Sequence, residues 1–312
     1  MTILTQFDSG YGAVGCTMIE SLLSTTPSAK VIVLALDEAT ASLISRFFAS
    51  EIGHRVSFLR GQELQAVETS LATLKTSRSP WEFLATQKVV FIDEMLNREA
   101  AEDLIWYVDS DTFFYSDLRA ASDEMLAASI GISPHRFGPA QKSLEANGLY
   151  NAGFVAFRNN DQGRSCAARW RRDCLAKCSL VAADGHFMNQ GYLTSWPSTF
   201  TGCRVFRHPG LNLAPWNLDS HTLTRSLFGK LKVDGQPLIF FHFSSVGKNS
   251  AGAWATHRIS EKLDSRKVRK WLYRPYLRKI EAWGRRIFLA FGIDGNSRRR
   301  EALDDPSAVI LS

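Results

Sequence analysis

Short apolar runs alternate with helical periods along most of this chain, and that alternation leaves few folds open. TILTQF, VIVLAL, RVSFL, LIWYV, ASIGIS, GFVAF and LIFFHF read as strands. Apolar residues at helical spacing predict helices around Thr17 to Leu23, Ala39 to Ala49, Glu82 to Leu96 and Ser165 to Lys177. The expected fold is α/β: a mostly parallel sheet flanked by helices, with ligands collecting at the carboxyl ends of its strands. No internal repeat or low-complexity linker interrupts it. The expected organisation is one main domain over 1–260, a basic amphipathic helical tail over 261–300 and a disordered end at 301–312.

Charge separates the tail from the rest. The chain of 312 residues carries a net +6. Residues 264–300 hold twelve Lys or Arg against three acids, 12 − 3 = +9, so the remainder is mildly acidic. A nucleic-acid groove through the main domain would need basic residues there, and no nucleic-acid partner is expected. No apolar run approaches the length of a membrane span and no signal-peptide pattern is visible, so the expected location is cytoplasmic. The five cysteines lack regular CxxC spacing. Cys166, Trp170, Cys174 and Cys178 recur every four residues, which puts them on one helical face as core.

IWYVDSDTFFY, Ile105 to Tyr115, is the segment with chemistry in it. Leu104 to Val108 is continuously apolar, as in a central strand buried on both faces, so Asp109 and Asp111 fall at its carboxyl end in the ligand crevice. At period two their side chains point the same way, with alpha carbons roughly 6.5 to 7 Å apart. Two such acids could share a cation, or cap a turn and face solvent. A haloacid-dehalogenase phosphatase would want Thr or Val at the fifth position of the motif, where Phe113 stands. A calcium loop beginning at Asp109 would need Gly and Glu where Phe114 and Ala120 stand. A zinc site would want more His or Cys nearby.

GYGAVG, Gly10 to Gly15, offers a competing chemistry. It satisfies GxGxxG, and Asp37 closes the next strand 22 residues after Gly15, as an NAD(P)-dependent oxidoreductase would require. Phe7, Asp8 and Ser9 intervene, however, where the tight turn should follow the strand directly.

ILTQFDSGYGAVGCTMIESLL, IWYVDSDTFFY, GLYNAGFVAFRN, HFMNQGYLTSWP, LNLAPWNL and PLIFFHFSSVGK occur in an order that resembles GT-A (Rossmann-like) nucleotide-diphospho-sugar glycosyltransferases, particularly bacterial ones similar to glycosyltransferase family 8. The resemblance spans about residues 1–250. It implies that Asp109 and Asp111 form the DxD that holds a divalent cation on the donor diphosphate, with Asp109 also facing the ribose. His242 matches the third protein ligand and Lys248 a lysine on phosphate. Thr5, Asp8 and Tyr11 lie where the base is cradled, and Lys88 resembles a helix lysine lining the donor pocket. Asn151 and Gln190 match residues facing the donor sugar. The family usually has Asp-Gln where this chain has Asn189 and Gln190, which puts a charged role at 189 in doubt.

The chemistry agrees with that resemblance. A diphosphate cannot approach two carboxylates unaided, since each like-charge pair near 4 Å costs about 4 kcal/mol at an effective dielectric of 20. Mixed carboxylate and imidazole ligation suits Mn2+ better than Mg2+. An inverting reaction needs a carboxylate general base on the acceptor hydroxyl, for which Asp184 is the candidate, whereas a retaining reaction needs none. The family resemblance and the amides at 189 and 190 favour retention. The expected partners are a nucleotide-sugar donor and a glycan acceptor, which could be lipid-linked; a catalytically silent nucleotide-sugar binder is a third reading.

The tail from Arg266 to Asp294 places Trp271, Leu272, Tyr276, Ile280, Trp283, Ile287 and Phe291 at roughly helical spacing, with Pro275 expected to break or kink the run. Two outcomes fit: a helix packed on the main domain with a solvated basic face, or an interfacial helix over 266–294 that binds an anionic membrane surface.

Overall fold

A strand covered on both faces favours apolar and aromatic side chains, and Leu104–Val108 consists of nothing else. It lies near the middle of a seven-stranded sheet in the computed structural model, which describes residues 1–51, 54–98, 100, 103–182, 187–296 and 301–311. In chain order the first half runs β1 (Thr2–Phe7), α1 (Gly12–Thr25), β2 (Lys30–Ala35), α2 (Glu38–Phe47), β3 (Val56–Arg60), α3 (Gly61–Val67), α4 (Ser70–Ser77), α5 (Pro80–Arg98), β4 (Leu104–Val108), β5 (Thr112–Phe114) and α6 (Arg119–Glu124). Next come β6 (Ile130–Pro134), β7 (Tyr150–Arg158), α7 (Asp161–Ala176), α8 (Trp196–Thr199), β8 (Cys203–Val205), β9 (Leu223–Arg225), β10 (Leu231–Val233), β11 (Gln236–Pro237) and β12 (Phe240–His242). The chain ends with β13 (Gly247–Lys248), β14 (Trp254–Thr256), α9 (Arg266–Val268), α10 (Arg274–Phe291) and β15 (Val309–Ile310).

The large sheet has the order β3-β2-β1-β4-β7-β6-β8. Only β7 runs antiparallel to its neighbours, which makes the sheet mixed and mostly parallel, as the alternation implies. Period-two alternation then sorts the core. Ile3, Val33, Trp106 and Phe154 face α1 and α10, while Leu4, Leu34, Tyr107 and Val155 face α5 and α7. Cys166, Trp170 and Cys174 fall on the buried face of α7, as expected.

LIFFHF departs from its reading as a sheet strand. Only Phe240–His242 is extended, and it pairs with β5 in a separate two-stranded ribbon in which His242 stands opposite Thr112. This register brings a histidine from late in the chain to the DSD turn.

Around residue 260 the core runs on without a break. Leu272, Tyr276, Ile280, Trp283 and Ile287 belong to the cluster that contains Ile3 and Trp106. Trp283 packs edge-on to Phe47 and stacks on Phe48, and Tyr276 stacks on Phe243 at 3.8 Å. Glu20 of α1 accepts hydrogen bonds from Lys279 Nζ and Trp283 Nε1 at 2.8 and 2.9 Å. The apolar stripe of the tail is therefore covered by α1 and α2, because it buries more area there than at a surface; the packed helix is the outcome, and an interfacial helix would have to use its other face. Pro275 does not break the run. One π turn, Arg269–Tyr273, precedes α10 and places the proline in the first turn, where its missing N–H does no harm.

Residues 301–311 return to the main body. A 3-10 turn, Glu301–Asp304, leads to β15, which pairs antiparallel with β14, and Leu311 N donates to Trp254 O at 2.9 Å. In this stretch, expected to be disordered, Leu303, Val309 and Leu311 are buried, and β15 takes backbone partners from an open strand edge. Among the described residues no helix is long and apolar enough to cross a membrane.

Candidate functional site

The carboxyl ends of β1 and β4 open on a cleft of about 290 Å3, walled by Tyr11, Lys88, Asp109, Asp111, Asn151 and Gln190 among others. A neighbouring cavity of about 530 Å3 shares Leu36 and Leu84 with it and is lined by Asp8, Asp37, Gln62, Arg78 and Gln87. Parallel strands that end together produce this crevice without further devices.

Asp109 and Asp111 leave β4 just as the ladder lets go. Asp109 N still donates to Gly153 O at 2.9 Å, and Phe243 N donates to Asp111 O at 2.7 Å, which ties the turn to the β12 ribbon. Asp109, Asp111 and His242 each present a ligand atom, and these atoms lie within 4.8 Å of one another. His242 Nε2 is 3.0 Å from Asp111 Oδ1. On the other side of the ring, Nδ1 meets Asn212 Oδ1 at 3.2 Å. Asn212 Nδ2 donates to Ser133 Oγ and to Asn151 Oδ1, so its oxygen is the atom turned to the ring. The proton consequently sits on Nδ1, and Nε2 points a lone pair at a carboxylate. Two acceptors at that distance need a proton or a cation between them. Burial pushes the His242 ring down, but the Asp111 carboxylate outweighs it and holds the imidazole above its ordinary value.

The space between the ligands exists because residue 153 is glycine. A Cβ there would lie 2.5 Å from Asp109 Oδ2, 2.7 Å from Asn151 Oδ1 and 2.8 Å from His242 Cε1. The donor set and this gap fit a divalent ion with mixed oxygen and nitrogen ligands.

Lys88 balances part of the charge. From α5 its ammonium donates to Asp109 Oδ1 at 2.8 Å and to Ala152 O at 3.3 Å, 4.6 Å from the Tyr107 ring centroid. It thus lines the cleft as expected and, in addition, pins the first acid. Asn151 Oδ1 also accepts from Gly153 N, and its amide nitrogen lies 3.3 Å from His135 Nε2. His135 is pushed down to about 4, by burial first and then by the neighbouring His242, and stays neutral. Trp216 is buried, with its ring roughly perpendicular to those of His242 and His135, so it backs the site.

The remaining residues singled out in the sequence are divided between the cleft and other places. Thr5 is fully buried on β1 and lines neither cavity; Gln6 takes the place at the cleft wall and donates to Leu84 O. Asp8 lines the neighbouring cavity. Lys248 sits on β13 with its ammonium 5.3 Å from the Trp254 ring centroid, outside the cleft lining. Asn189 lines the cleft but is buried: its side-chain amide donates to Ala85 O and its backbone carbonyl accepts from Trp170 Nε1, so it braces α5 and α7. Gln190 is at the cleft wall and donates to Asn147 O. Asp184 lies outside the described residues.

Asn212 is the residue that sequence reasoning passed over, although LNLAPWNL contains it. It is fully buried and adopts a φ of +57°, a conformation asparagine tolerates better than most residues. Asn212→Ala is expected to weaken divalent-ion affinity about 10- to 100-fold, the usual cost of losing a residue that orients a ligand. Titration with Mn2+ in a calorimeter measures this directly; unchanged affinity would remove Asn212 from the role.

The glycine motif is spent on packing. A Cβ at Gly15 would lie 2.4 Å from the Phe7 ring, so the glycine lets α1 close on β1. Asp37 caps α2: one carboxylate oxygen accepts from Thr40 N and Oγ1, the other from Ser9 N and Oγ.

No protein-family model matches the chain. Two uncharacterized proteins of Bacillus subtilis (strain 168) are similar in sequence. YfnF is 28% identical over 238 residues, covering 73% of this chain and 75% of that protein. YfnD is 27% identical over 280 residues, covering 88% and 86%. Among solved structures, an active-site mutant of LgtC superposes with a TM-score of 0.54 at 14% identity, covering 90% of this chain and 96% of that one. The galactosyltransferase LgtC in complex with donor and acceptor sugar analogues gives 0.50 at 15% identity with the same coverage. The glycosyltransferase GlyE of Streptococcus pneumoniae TIGR4 gives 0.51 at 15% identity, covering 91% of this chain and 63% of that one. The chain has the GT-A glycosyltransferase fold.

Proposed function

We propose that this chain is a metal-dependent glycosyltransferase that moves a sugar from a nucleoside-diphosphate sugar to a hydroxyl of a glycan, with retention at the transferred carbon. The observation that carries the reading is the meeting of Asp109, Asp111 and His242 within 4.8 Å at the mouth of a cleft formed by strand ends.

In this reading Asp109, Asp111 and His242 would hold Mn2+, and the bound ion supplies charge neutralisation for the departing nucleoside diphosphate. Lys88 fixes the Asp109 carboxylate and keeps an ammonium beside the anionic donor. The neighbouring cavity, with Asp8, Gln62 and Gln87 on its wall, has hydrogen-bonding groups suited to a base and ribose. Gln190 and Asn151 present amides to the sugar side of the cleft. Asp109 and Asp111 are the acids among the described cleft residues, and both are committed to the ion, which supports retention over base-catalysed inversion. LgtC, crystallised with donor and acceptor sugar analogues, supplies the parallel for a two-sugar cleft. An acceptor at an anionic membrane surface, such as a lipid-linked glycan, would suit the exposed Arg266, Lys267, Lys270, Arg274, Arg278 and Arg285 of the tail.

The test is binding. In a calorimeter the chain is expected to bind a nucleoside diphosphate only when Mn2+ is present, and to ignore NAD with or without it. Metal-independent NAD binding at micromolar affinity would transfer the function to the glycine-rich turn.

A further inference from the structure

Leu227 and Phe228 touch almost nothing. They are 101% and 93% exposed, and no other large apolar side chain among the described residues exceeds 84%. They stand side by side at the tip of the β9–β10 hairpin. The turn that carries them is a built one: Ser226 N donates to Lys230 O at 2.8 Å, Gly229 N to Ser226 O at 2.9 Å, and Arg225 Nε to Gly229 O at 3.0 Å. Gly229 takes the left-handed φ of +82° that the turn requires. At the other end, Leu231 and Val233 are locked into the main core.

Charge follows the same pattern. Residues 221–233 contain Arg225, Lys230 and Lys232, all exposed, and no acid. Lys262, just before the basic tail, donates to the carbonyls of Leu218, Asp219 and His221, which holds the hairpin base against the start of that tail.

We propose that the tip of this hairpin is a membrane-insertion element, in which Leu227 and Phe228 enter the boundary between headgroups and acyl chains of an anionic bilayer while Arg225, Lys230 and Lys232 meet lipid phosphates. Two side chains on a convex tip fall far short of the roughly 800 Å2 per partner that a stable protein interface buries. A bilayer needs no matching surface, and an aromatic and a leucine flanked by Lys and Arg is the composition that interfacial elements use. This concerns where the chain works and holds whether or not it transfers sugar.

The experiment uses the full chain and sedimentation with vesicles of phosphatidylcholine alone or mixed with phosphatidylglycerol. The wild-type chain is expected to pellet with the mixed vesicles only, and raised salt to release it. Leu227→Ser together with Phe228→Ser should lower the partition coefficient at least about tenfold, with an unchanged melting temperature and unchanged hydrolysis of a nucleotide sugar. Phe228→Trp should retain binding. Equal binding by the double variant overturns the proposal, as does a wild-type chain that ignores both vesicles or forms a dimer that the double variant abolishes.

Discussion

Asp111→Ala is expected to abolish turnover, by about a thousandfold or more, and to remove Mn2+-dependent nucleotide binding while the chain still folds. Losing a direct ligand forfeits several kcal/mol of charge stabilisation, and every 1.36 kcal/mol is tenfold in rate. The fold should survive because the side chain lies at a strand end and is partly exposed, outside the apolar core. A pH signature accompanies the loss. Asp111 makes the folded ring of His242 bind its proton more tightly than the unfolded ring does. In the absence of metal this contact therefore stabilises the fold below about pH 6.5, the ordinary histidine value, and the stabilisation is lost as pH rises through the raised one. Melting curves in EDTA at low and high pH should show the variant to be less stable than wild type only at the acidic end. Release of nucleoside diphosphate from a sugar donor measures the rate; a variant that keeps most of its Mn2+-dependent release would show that the ion sits elsewhere.

The acids at the end of β4 were legible because burial on both faces leaves a sequence trace: five apolar residues in a row cannot be a surface strand, and the polar residues immediately after them fall at the carboxyl end of the strand. The tail was half legible. Its helical period shows that one face is apolar, but a period cannot say which surface that face meets, and Glu20, which receives Trp283 and Lys279, lies more than 250 residues away. His242 illustrates the opposite limit. Nothing local distinguishes a ligand histidine from a core one in LIFFHF; a ribbon of three-residue strands brings it beside the two acids, and strands so short leave no measurable alternation. Asn212 was hidden for the same reason, since its work is done through contacts with Ser133, Asn151 and His242, each from a different part of the chain. Lys248 was assigned to phosphate by resemblance alone, and it lies outside the cleft lining. Its ammonium lies over the ring of Trp254 on the adjoining strand.

Gly153→Ala should disable the site without removing any ligand. The φ of Gly153 lies outside the left-handed region, so alanine can adopt the backbone and the added methyl alone is on trial. That methyl would meet Asp109 Oδ2, Asn151 Oδ1 and His242 Cε1, all closer than 3.0 Å. The side chains could yield, yet each is held from behind: Asp109 by Lys88, Asn151 by Asn212 and His135, and His242 by Asn212. Relief therefore requires breaking one of those contacts, at a stability cost of about 1–3 kcal/mol, the usual range for overpacking. Divalent-ion affinity should fall about a hundredfold or more, because a ligand displaced by even half an ångström leaves the narrow distance range that metal ligation tolerates. Calorimetric titration with Mn2+ and a thermal melt give both numbers from one preparation. Wild-type ion affinity in Gly153→Ala would mean that the cation does not occupy the space between Asp109, Asp111 and His242, even if Asp111→Ala is inactive, whereas joint loss in both variants places it there by two independent changes.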